Sequence, residues 1–205
     1  MRIFFDFDGT LLDSSDRLYN LFCDLIPECE FSKEQYWEMK RNKINHKMII
    51  EKFFPQYNYA EFEQKWMNLI EKQEYLKYNS LYEFSKEVLG NLYLTNELYL
   101  LTARQSKENL LKELEKFDVK KFFKKVLVTE NKKTKLELLN EIKLSKDDIL
   151  VGDTGKDIQT AREAGIKSVA VTYGFMSEEK LKEYKPCLLA NSLRPLISMG
   201  GIIGK

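Results

Sequence analysis

The first apolar segment lies near the N-terminus, where residues 2–7 read Arg-Ile-Phe-Phe-Asp-Phe. The segment is short, rich in β-prone residues and apolar on both faces. Strands of this kind are typical of the centre of a parallel sheet, where both faces are buried. We therefore predict that Arg2 to Phe7 forms a central strand.

From Ser14 to about Asn79 the apolar residues recur at helical spacing, without a convincing strand pattern. The first predicted helix ends at Pro27, and its apolar stripe consists of Leu18, Leu21, Phe22, Leu25 and Ile26. Further helices are predicted at Lys33 to Arg41, at His46 to Phe54, and from Tyr59 along Phe62, Trp66, Leu69 and Gln73. We predict that residues 14–79 form a helical insert.

Strand and helix patterns alternate in the rest of the chain. The predicted strands are Glu97 to Leu101, Val126 to Thr129, Ile149 to Val151 and Ser168 to Thr172. The predicted helices are Leu81 to Leu92, Ser106 to Phe117, Thr134 to Lys143 and Asp157 to Ala164, the last capped by Gly165. This alternation predicts an α/β fold, a doubly wound (Rossmann-like) parallel sheet built from residues 1–13 and 80–205. Residues 200–205 are predicted to be loose.

Composition limits the classes of partner. Of the 205 residues, 43% are hydrophobic and 32% charged, as in globular proteins. The formal net charge of +1 provides no long-range field that would attract nucleic acid or an anionic membrane, so we predict neither as a partner. Three cysteines without metal-ligand spacing favour a reducing, cytoplasmic setting. We expect no signal peptide and no membrane span, because apolar runs are short. The oligomeric state stays open.

Two aspartates follow the predicted first strand, in the segment Asp6-Phe7-Asp8-Gly9-Thr10. Alternation along the strand places Asp6 and Asp8 on the same side, and Gly9 allows the backbone to turn sharply. Two carboxylates so close repel each other unless a cation lies between them or one is protonated. Mg²⁺ prefers oxygen ligands, so a small acidic cluster suits it.

Polar residues also follow three other predicted strands. They are Thr102, the basic cluster of Lys132, Lys133 and Lys135, and the pair Asp153 and Asp157. Ligands of open parallel sheets bind outside the carboxyl ends of the strands, so we expect these residues to converge there. A lysine and a helix N-terminus favour a phosphoryl group, while the aspartates add an acidic wall for the cation.

Together these segments resemble the motifs of the haloacid dehalogenase superfamily of phosphohydrolases, particularly its phosphoglycolate phosphatase-like branch. Asp6 to Ser14 is similar to the family's first motif, and Leu101 to Arg104 is similar to the second. Val151 to Asp153, with Asp157 and Ala161 to Gly165, resembles the fourth. The helical insert resembles the cap of members whose cap follows the first strand. The resemblance covers nearly the whole chain.

The resemblance implies a role for each matched residue. Asp6 attacks phosphorus and becomes an aspartyl-phosphate, while Asp8 protonates the leaving oxygen and then deprotonates water. Mg²⁺ is held by the Asp6 carboxylate, the Asp8 backbone carbonyl and Asp153, and Asp157 orients these ligands. Thr102, the neighbouring Ala103 and a lysine bind the phosphoryl group.

The third motif departs from the family pattern. The family often has Lys-Pro there, whereas this chain has Lys132-Lys133-Thr134-Lys135. We predict Lys132 as the phosphate-binding lysine, because it lies one helical turn ahead of Leu136. Lys133 is the second choice, and the sequence leaves all three lysines open.

Several polar residues of the insert have simpler interpretations. His46, the only histidine, is predicted to be structural or solvated. Arg41, Lys43 and Lys47 lie near the turn between insert helices, where the family often places substrate-selecting residues. A charged helix face is the favoured interpretation of these three.

The predicted function is Mg²⁺-dependent hydrolysis of a small, soluble phosphomonoester. A sugar phosphomutase of the same fold is the alternative. A non-catalytic phosphate-binding module is disfavoured because all four motif aspartates are present, and such modules normally lose one. Haloacid dehalogenation is disfavoured because Asp8 suits protonation of the leaving group of a phosphate ester. The substrate itself is not readable from the sequence.

Overall fold

A six-stranded parallel sheet is the main feature of the computed structural model, which describes residues 1–198. The strands are β1 (Arg2–Phe5), β2 (Leu12–Asp13), β3 (Ser80–Leu81), β4 (Glu97–Thr102), β5 (Phe123–Val128), β6 (Ile149–Gly152), β7 (Lys167–Val171) and β8 (Leu188–Ala190). The sheet has the order β5-β4-β1-β6-β7-β8, and β2 pairs separately with β3. From β1 the chain adds β4 and then β5 on one side. It then returns and adds β6, β7 and β8 on the other side of β1. This is the doubly wound arrangement, so the predicted fold class is confirmed.

Helices connect the strands in sequence order. They are α1 (Ser15–Leu25), α2 (Lys33–Arg41), α3 (His46–Phe53), α4 (Tyr59–Leu69), α5 (Gln73–Leu76), α6 (Ser85–Leu92), α7 (Lys107–Lys116), α8 (Lys135–Asn140), α9 (Gly155–Glu163), α10 (Glu178–Lys182) and α11 (Pro195–Ser198), with a short 3-10 helix at Lys120–Phe122. None of the helices within residues 1–198 has the length and apolar character that crossing a membrane requires.

Strand β1 is buried on both faces, as its apolar pattern predicts. Ile3 and Phe5 belong to one apolar cluster, while Phe4 belongs to another cluster with Leu101 and Leu150. Alternate side chains of a strand point to opposite faces, so the two clusters lie on opposite sides of the sheet. Complete burial of each phenylalanine contributes about 1.5–3 kcal/mol to folding. This burial fixes β1 at the centre of the sheet.

The chain divides into two compact units. Unit 1 comprises Met1–Leu12 and the chain from Leu81 onward, and unit 2 comprises Asp13–Ser80. Unit 1 contains the parallel sheet, and unit 2 contains helices α1 to α5.

An aromatic cluster forms the interior of unit 2. Its rings belong to Phe22, Tyr36, His46, Phe62 and Trp66. The Tyr36 hydroxyl and Nε2 of His46 lie 2.8 Å apart. Burial, with a smaller effect from the positive charge of Lys40, lowers the pKa of His46 to about 2. His46 is therefore a neutral member of the packed interior.

Some element boundaries differ from the sequence prediction. The helix predicted from Leu81 begins only at Ser85, because the Ser85 side chain donates to the Leu11 carbonyl oxygen (2.8 Å) and ties down the preceding turn. The helix predicted to reach Lys143 ends at Asn140. The short elements β2, β3, α5, α10, β8 and α11 were not predicted. The predicted loose segment, residues 200–205, lies outside the described residues.

Candidate active site

The candidate site lies at the carboxyl ends of β1, β4 and β6. Asp6 follows β1 directly, Thr102 is the last residue of β4, and Asp153 follows Gly152 at the end of β6. Asp6 N–H still donates to the Val151 carbonyl oxygen at 2.9 Å, which holds the first aspartate against the end of β6. The doubly wound order reverses between β1 and β6, and ligands of such sheets bind at this reversal.

Three buried carboxylates meet at this edge of the sheet. Asp6, Asp153 and Asp157 each place one carboxylate oxygen within 4.8 Å of the other two. Asp157 arrives from the first turn of α9, where it forms a reciprocal capping box with Thr154. The Thr154 hydroxyl donates to Oδ2 of Asp157 at 2.5 Å, and Lys135 donates to Oδ1 at 2.6 Å. Asp157 is therefore firmly held, which suits a residue that orients the other two.

Asp153 is surrounded by backbone at very short range. A Cβ atom on Gly9 would lie 2.1 Å from Oδ2 of Asp153, and one on Gly174 would lie 2.4 Å from the same oxygen. Gly9 also has φ of +78°, a conformation that favours glycine. The Phe175 N–H donates to Oδ2 at 2.6 Å, and the Thr10 hydroxyl donates to Oδ1 at 3.2 Å. The segment after Asp8 thus depends on glycine to pass this carboxylate.

The basic residue beside the carboxylates is Lys135, and not Lys132, which the sequence favoured. Lys135 Nζ lies 2.9 Å from Oδ1 of Asp6 and 2.6 Å from Oδ1 of Asp157. Its side chain is only 9% exposed, whereas that of Lys132 is 76% exposed. Lys133 pairs with Glu141 on the surface.

The physical reason is the start of α8. The Thr134 side chain accepts from the Glu137 N–H, and the Glu137 side chain accepts from the Thr134 N–H. This capping box makes Lys135 the first helical residue. Lys132 and Lys133 remain in the preceding turn, where both N–H groups donate to the Thr129 carbonyl oxygen.

The electrostatics of the cluster favour an added cation. Burial raises the pKa of Asp6 to about 7, although Lys135 opposes the shift. Burial and the charges of Asp6 and Asp157 raise the pKa of Asp153 well above its usual value. Burial lowers the pKa of Lys135, but Asp157 and Asp6 outweigh it and leave that pKa above its usual value. A cation bound between these carboxylates would favour their ionised forms, and Mg²⁺ prefers oxygen ligands of this kind.

Thr102 and Ala103 lie at the same edge of the sheet. The register pairs Phe5 with Leu100, so Thr102 continues β4 alongside the segment that carries Asp6. Thr102 is buried, and its carbonyl oxygen accepts from the Thr129 N–H at 3.1 Å. The neighbouring Ala103 is exposed.

The Asp8 carboxylate is not part of the three-carboxylate cluster, and it contacts Arg104, a residue without a predicted role. Arg104, which is 4% exposed, donates from Nε and Nη2 to the two carboxylate oxygens of Asp8. Its Nη1 donates to Oε2 of Glu113 at 2.9 Å. One signal was present in the sequence: Glu113 lies beside Leu110 and Leu114 on the buried face of α7, where an acidic residue needs a partner.

The fold and the site define a doubly wound α/β protein with a buried acidic cluster at the carboxyl edge of its sheet. A family model described as haloacid dehalogenase-like hydrolase matches residues 3–171. The chain therefore belongs to the haloacid dehalogenase-like hydrolase family, and the predicted resemblance is confirmed.

Relatives and solved structures agree with this assignment. Pyrophosphatase PpaX of Halalkalibacterium halodurans is 23% identical over 98% of this chain and 96% of its own length. A second protein that carries the PpaX name, from Caldanaerobacter subterraneus, is 27% identical over 90% of this chain and 87% of its own length. A haloacid dehalogenase-like hydrolase from Streptococcus pneumoniae superposes with a TM-score of 0.79 at 23% identity, over 96% of each chain. At this identity the last comparison shows a shared fold.

Proposed function

We propose that the protein is a Mg²⁺-dependent phosphatase that hydrolyses a small phosphomonoester through an aspartyl-phosphate on Asp6. The observation that carries this proposal is the position of the Asp6 carboxylate. It follows the central strand, contacts Lys135 at 2.9 Å and lies within a buried three-carboxylate cluster. A carboxylate is a weak nucleophile towards an anionic ester, so a site of this kind must cancel charge before the two can meet.

The proposed reaction has two steps. In the first, an Asp6 oxygen forms a bond to phosphorus while the bond to the leaving oxygen breaks, and Asp8 gives that oxygen a proton. In the second, Asp8 takes a proton from water as the water oxygen attacks phosphorus, and Asp6 is released with inorganic phosphate. The first step leaves Asp8 ionised, which is the form that acts as a base. The second step returns Asp8 to the protonated form that acts as an acid.

The remaining residues bind and orient. Lys135, in place of the sequence choices Lys132 and Lys133, neutralises the phosphoryl group as a point charge. At the end of β4, Thr102 contributes its hydroxyl group and Ala103 contributes its backbone N–H. Mg²⁺ would be held by the carboxylates of Asp6 and Asp153 and the backbone carbonyl of Asp8, and it would act as a Lewis acid towards the phosphoryl oxygens. Asp157 orients these ligands through its bonds to Lys135 and Thr154.

We further propose that the helical insert, residues 14–79, serves as the cap that selects the substrate. The support is the family membership together with the aromatic interior of unit 2, which allows these helices to act as one body. The three cysteines are free, which supports a reducing, cytosolic setting.

The test of the mechanism is phosphate release from an aryl phosphate, compared between the wild-type protein and Asp6→Asn with varied Mg²⁺. We expect Asp6→Asn to lose nearly all activity, since the amide cannot form the acyl phosphate. Asp147→Asn is a matched control, because Asp147 is an exposed aspartate paired with Lys167. Equal activity in wild type and Asp6→Asn would exclude the covalent mechanism.

Pyrophosphate is a second substrate candidate, favoured by the PpaX names of two relatives that match most of this chain. A panel of small phosphomonoesters together with inorganic pyrophosphate separates the two. Isomerisation of a sugar phosphate without phosphate release would instead identify a phosphomutase. A protein that is inactive on the panel and gains no thermal stability from Mg²⁺ with beryllium fluoride would be a non-catalytic module.

A further inference from the structure

Arg104 is buried between two carboxylates, one in the segment after β1 and one on α7. Its Nε and Nη2 donate to the two oxygens of Asp8, with Nη2 to Oδ1 at 3.0 Å, and its Nη1 donates to Glu113. The guanidinium also lies 5.7 Å from the centre of the Phe7 ring. The side chains of Arg104 and Glu113 are 4% and 5% exposed, whereas that of Asp8 is 17% exposed. Asp8 is thus the only member of this triad with appreciable access to solvent.

Such a triad is poorly explained by stability alone. Removing charged groups from water is costly, and replacing a buried ion pair by apolar residues is often neutral or stabilising. A bidentate contact, however, adds geometric control, because two parallel N–H donors fix the rotation of the carboxylate plane. Here the carboxylate whose plane is fixed belongs to Asp8, the proposed proton donor and acceptor.

The contact also leaves Asp8 able to work. An ionised carboxylate offers about four lone-pair sites, and Arg104 occupies two of them. A proton on an oxygen lone pair outside the fork can be given or taken while the guanidinium stays in place. Proton transfer needs heavy atoms within about 2.6–3.2 Å, so a small rotation of this carboxylate would disturb it.

We infer that Arg104 is a positioning residue, which sets the orientation of the Asp8 carboxylate and is itself anchored by Glu113 on α7. The inference rests on the proposed function, because it assigns Asp8 the proton transfers. Arg104 acts through Asp8 and does not touch the phosphoryl group in this role.

The discriminating measurement is kcat/KM on two esters that differ in their need for a proton. An alkyl phosphate has a poor leaving group that must be protonated, whereas nitrophenolate leaves without a proton. In Arg104→Met we expect kcat/KM for the alkyl ester to fall about 10²-fold, the scale of a misplaced catalytic group. For the aryl ester we expect a loss of about 3-fold or less, since a leaving group that needs no proton gains little from acid catalysis.

Three further variants separate positioning from structural roles. Arg104→Met leaves the buried charge of Glu113 without Arg104, and adding Glu113→Gln removes that charge. The double variant should therefore fold and still lose kcat/KM for the alkyl ester selectively. Arg104→Lys keeps the charge without the fork, and we expect it to remain defective on the alkyl ester. Arg194→Met is the matched control, because Arg194 forms an exposed ion pair with Glu87, and both of its kcat/KM values should be unchanged.

Equal losses on both esters, or full activity in Arg104→Lys, would overturn the inference. A crystal structure of the double variant gives a test independent of turnover: a displaced Asp8 carboxylate supports the inference, and an unmoved one overturns it. A wild-type protein without activity on any ester would sink the proposed function, and the crystal structure would then decide the role of Arg104 alone.

Discussion

At the scale of single residues, Lys135 provides the positive charge that faces the carboxylates of the site. Its ammonium group bridges Asp6 and Asp157 in a largely buried position. In the proposed reaction, the same group would meet the phosphoryl oxygens when Asp6 attacks. Lysine 135 therefore serves both the resting site and the proposed reaction.

We predict that Lys135→Met lowers kcat/KM about 10²–10³-fold, the usual scale for removing one group that stabilises transition-state charge. Lys132→Met is the matched control and should stay within about 2-fold, since surface substitutions usually have small effects. Phosphate release by both variants, at saturating Mg²⁺, is the measurement. A larger loss of kcat/KM in Lys132→Met than in Lys135→Met would instead support Lys132 as the phosphate-binding lysine.

The aspartates could be placed from the sequence, whereas the lysine and Arg104 could not. Asp6 and Asp153 directly follow apolar strands, and the strand ends of a parallel sheet meet at one edge. Which lysine reaches the site depends on where α8 begins. Moving that start by one residue rotates each side chain by about 100° around the helix axis. In the structure, the Thr134–Glu137 capping box sets this start. The Arg104 contact joins residues 96 positions apart, which no local pattern encodes.

At the scale of elements, the first turns of α8 and α9 position the site. Each helix begins with a threonine in a reciprocal capping box, Thr134 for α8 and Thr154 for α9. The first turns carry Lys135 and Asp157, whose side chains meet at 2.6 Å. The predicted alternation of strands and helices was confirmed, while short elements such as α5 and β8 were missed because three or four residues contain too little periodicity.

The stability of the helices of unit 2 should depend on pH because of His46. Its pKa in the folded protein is about 2, below its ordinary value of 6.5. As the pH falls below about 6.5, the unfolded chain binds a proton that the folded chain does not, so stability decreases. Between pH 7.5 and pH 5 we predict that His46 lowers the free energy of unfolding by up to about 2 kcal/mol.

The measurement is urea unfolding followed by tryptophan fluorescence at the two pH values. Both tryptophans of the chain, Trp37 and Trp66, lie in unit 2, so the signal reports on these helices. His46→Gln should show a smaller loss of stability on acidification than the wild-type protein, because glutamine does not titrate. An identical pH dependence in the two proteins would contradict this role for His46.

At the scale of the whole molecule, a bound cation should stabilise the fold. Folding brings Asp6, Asp153 and Asp157 together at a cost in charge repulsion, and a ligand that binds only this folded arrangement shifts the equilibrium towards it. Three converging carboxylates can hold a metal ion, so a divalent cation is the ligand to test. The effect extends to the melting temperature because the cluster joins the central strand to β6 and α9.

We predict that Mg²⁺ at about 100 times its Kd stabilises the protein by about 2.7 kcal/mol, which raises Tm by roughly 5–10 °C. Asp153→Asn should lose most of this shift, while Asp147→Asn should keep it. Thermal unfolding with Mg²⁺ or with EDTA measures the difference. A full Mg²⁺ shift in Asp153→Asn would remove this carboxylate from the proposed ligand set.

The parallel pairing of β1 also sets the order in which the protein becomes functional during synthesis. Phe5 pairs with Leu100 on one side and Val151 on the other, so Asp6 is translated long before the residues that surround it in the sheet. At ribosomal rates of about 5–20 residues per second, Asp6 waits roughly 8–30 seconds for Asp153 and Asp157. Unit 2 is one continuous stretch, Asp13–Ser80, and all of it is translated before β4, β5 and β6. A prematurely released chain that ends before β6 lacks the acidic cluster, so incomplete copies carry no working site.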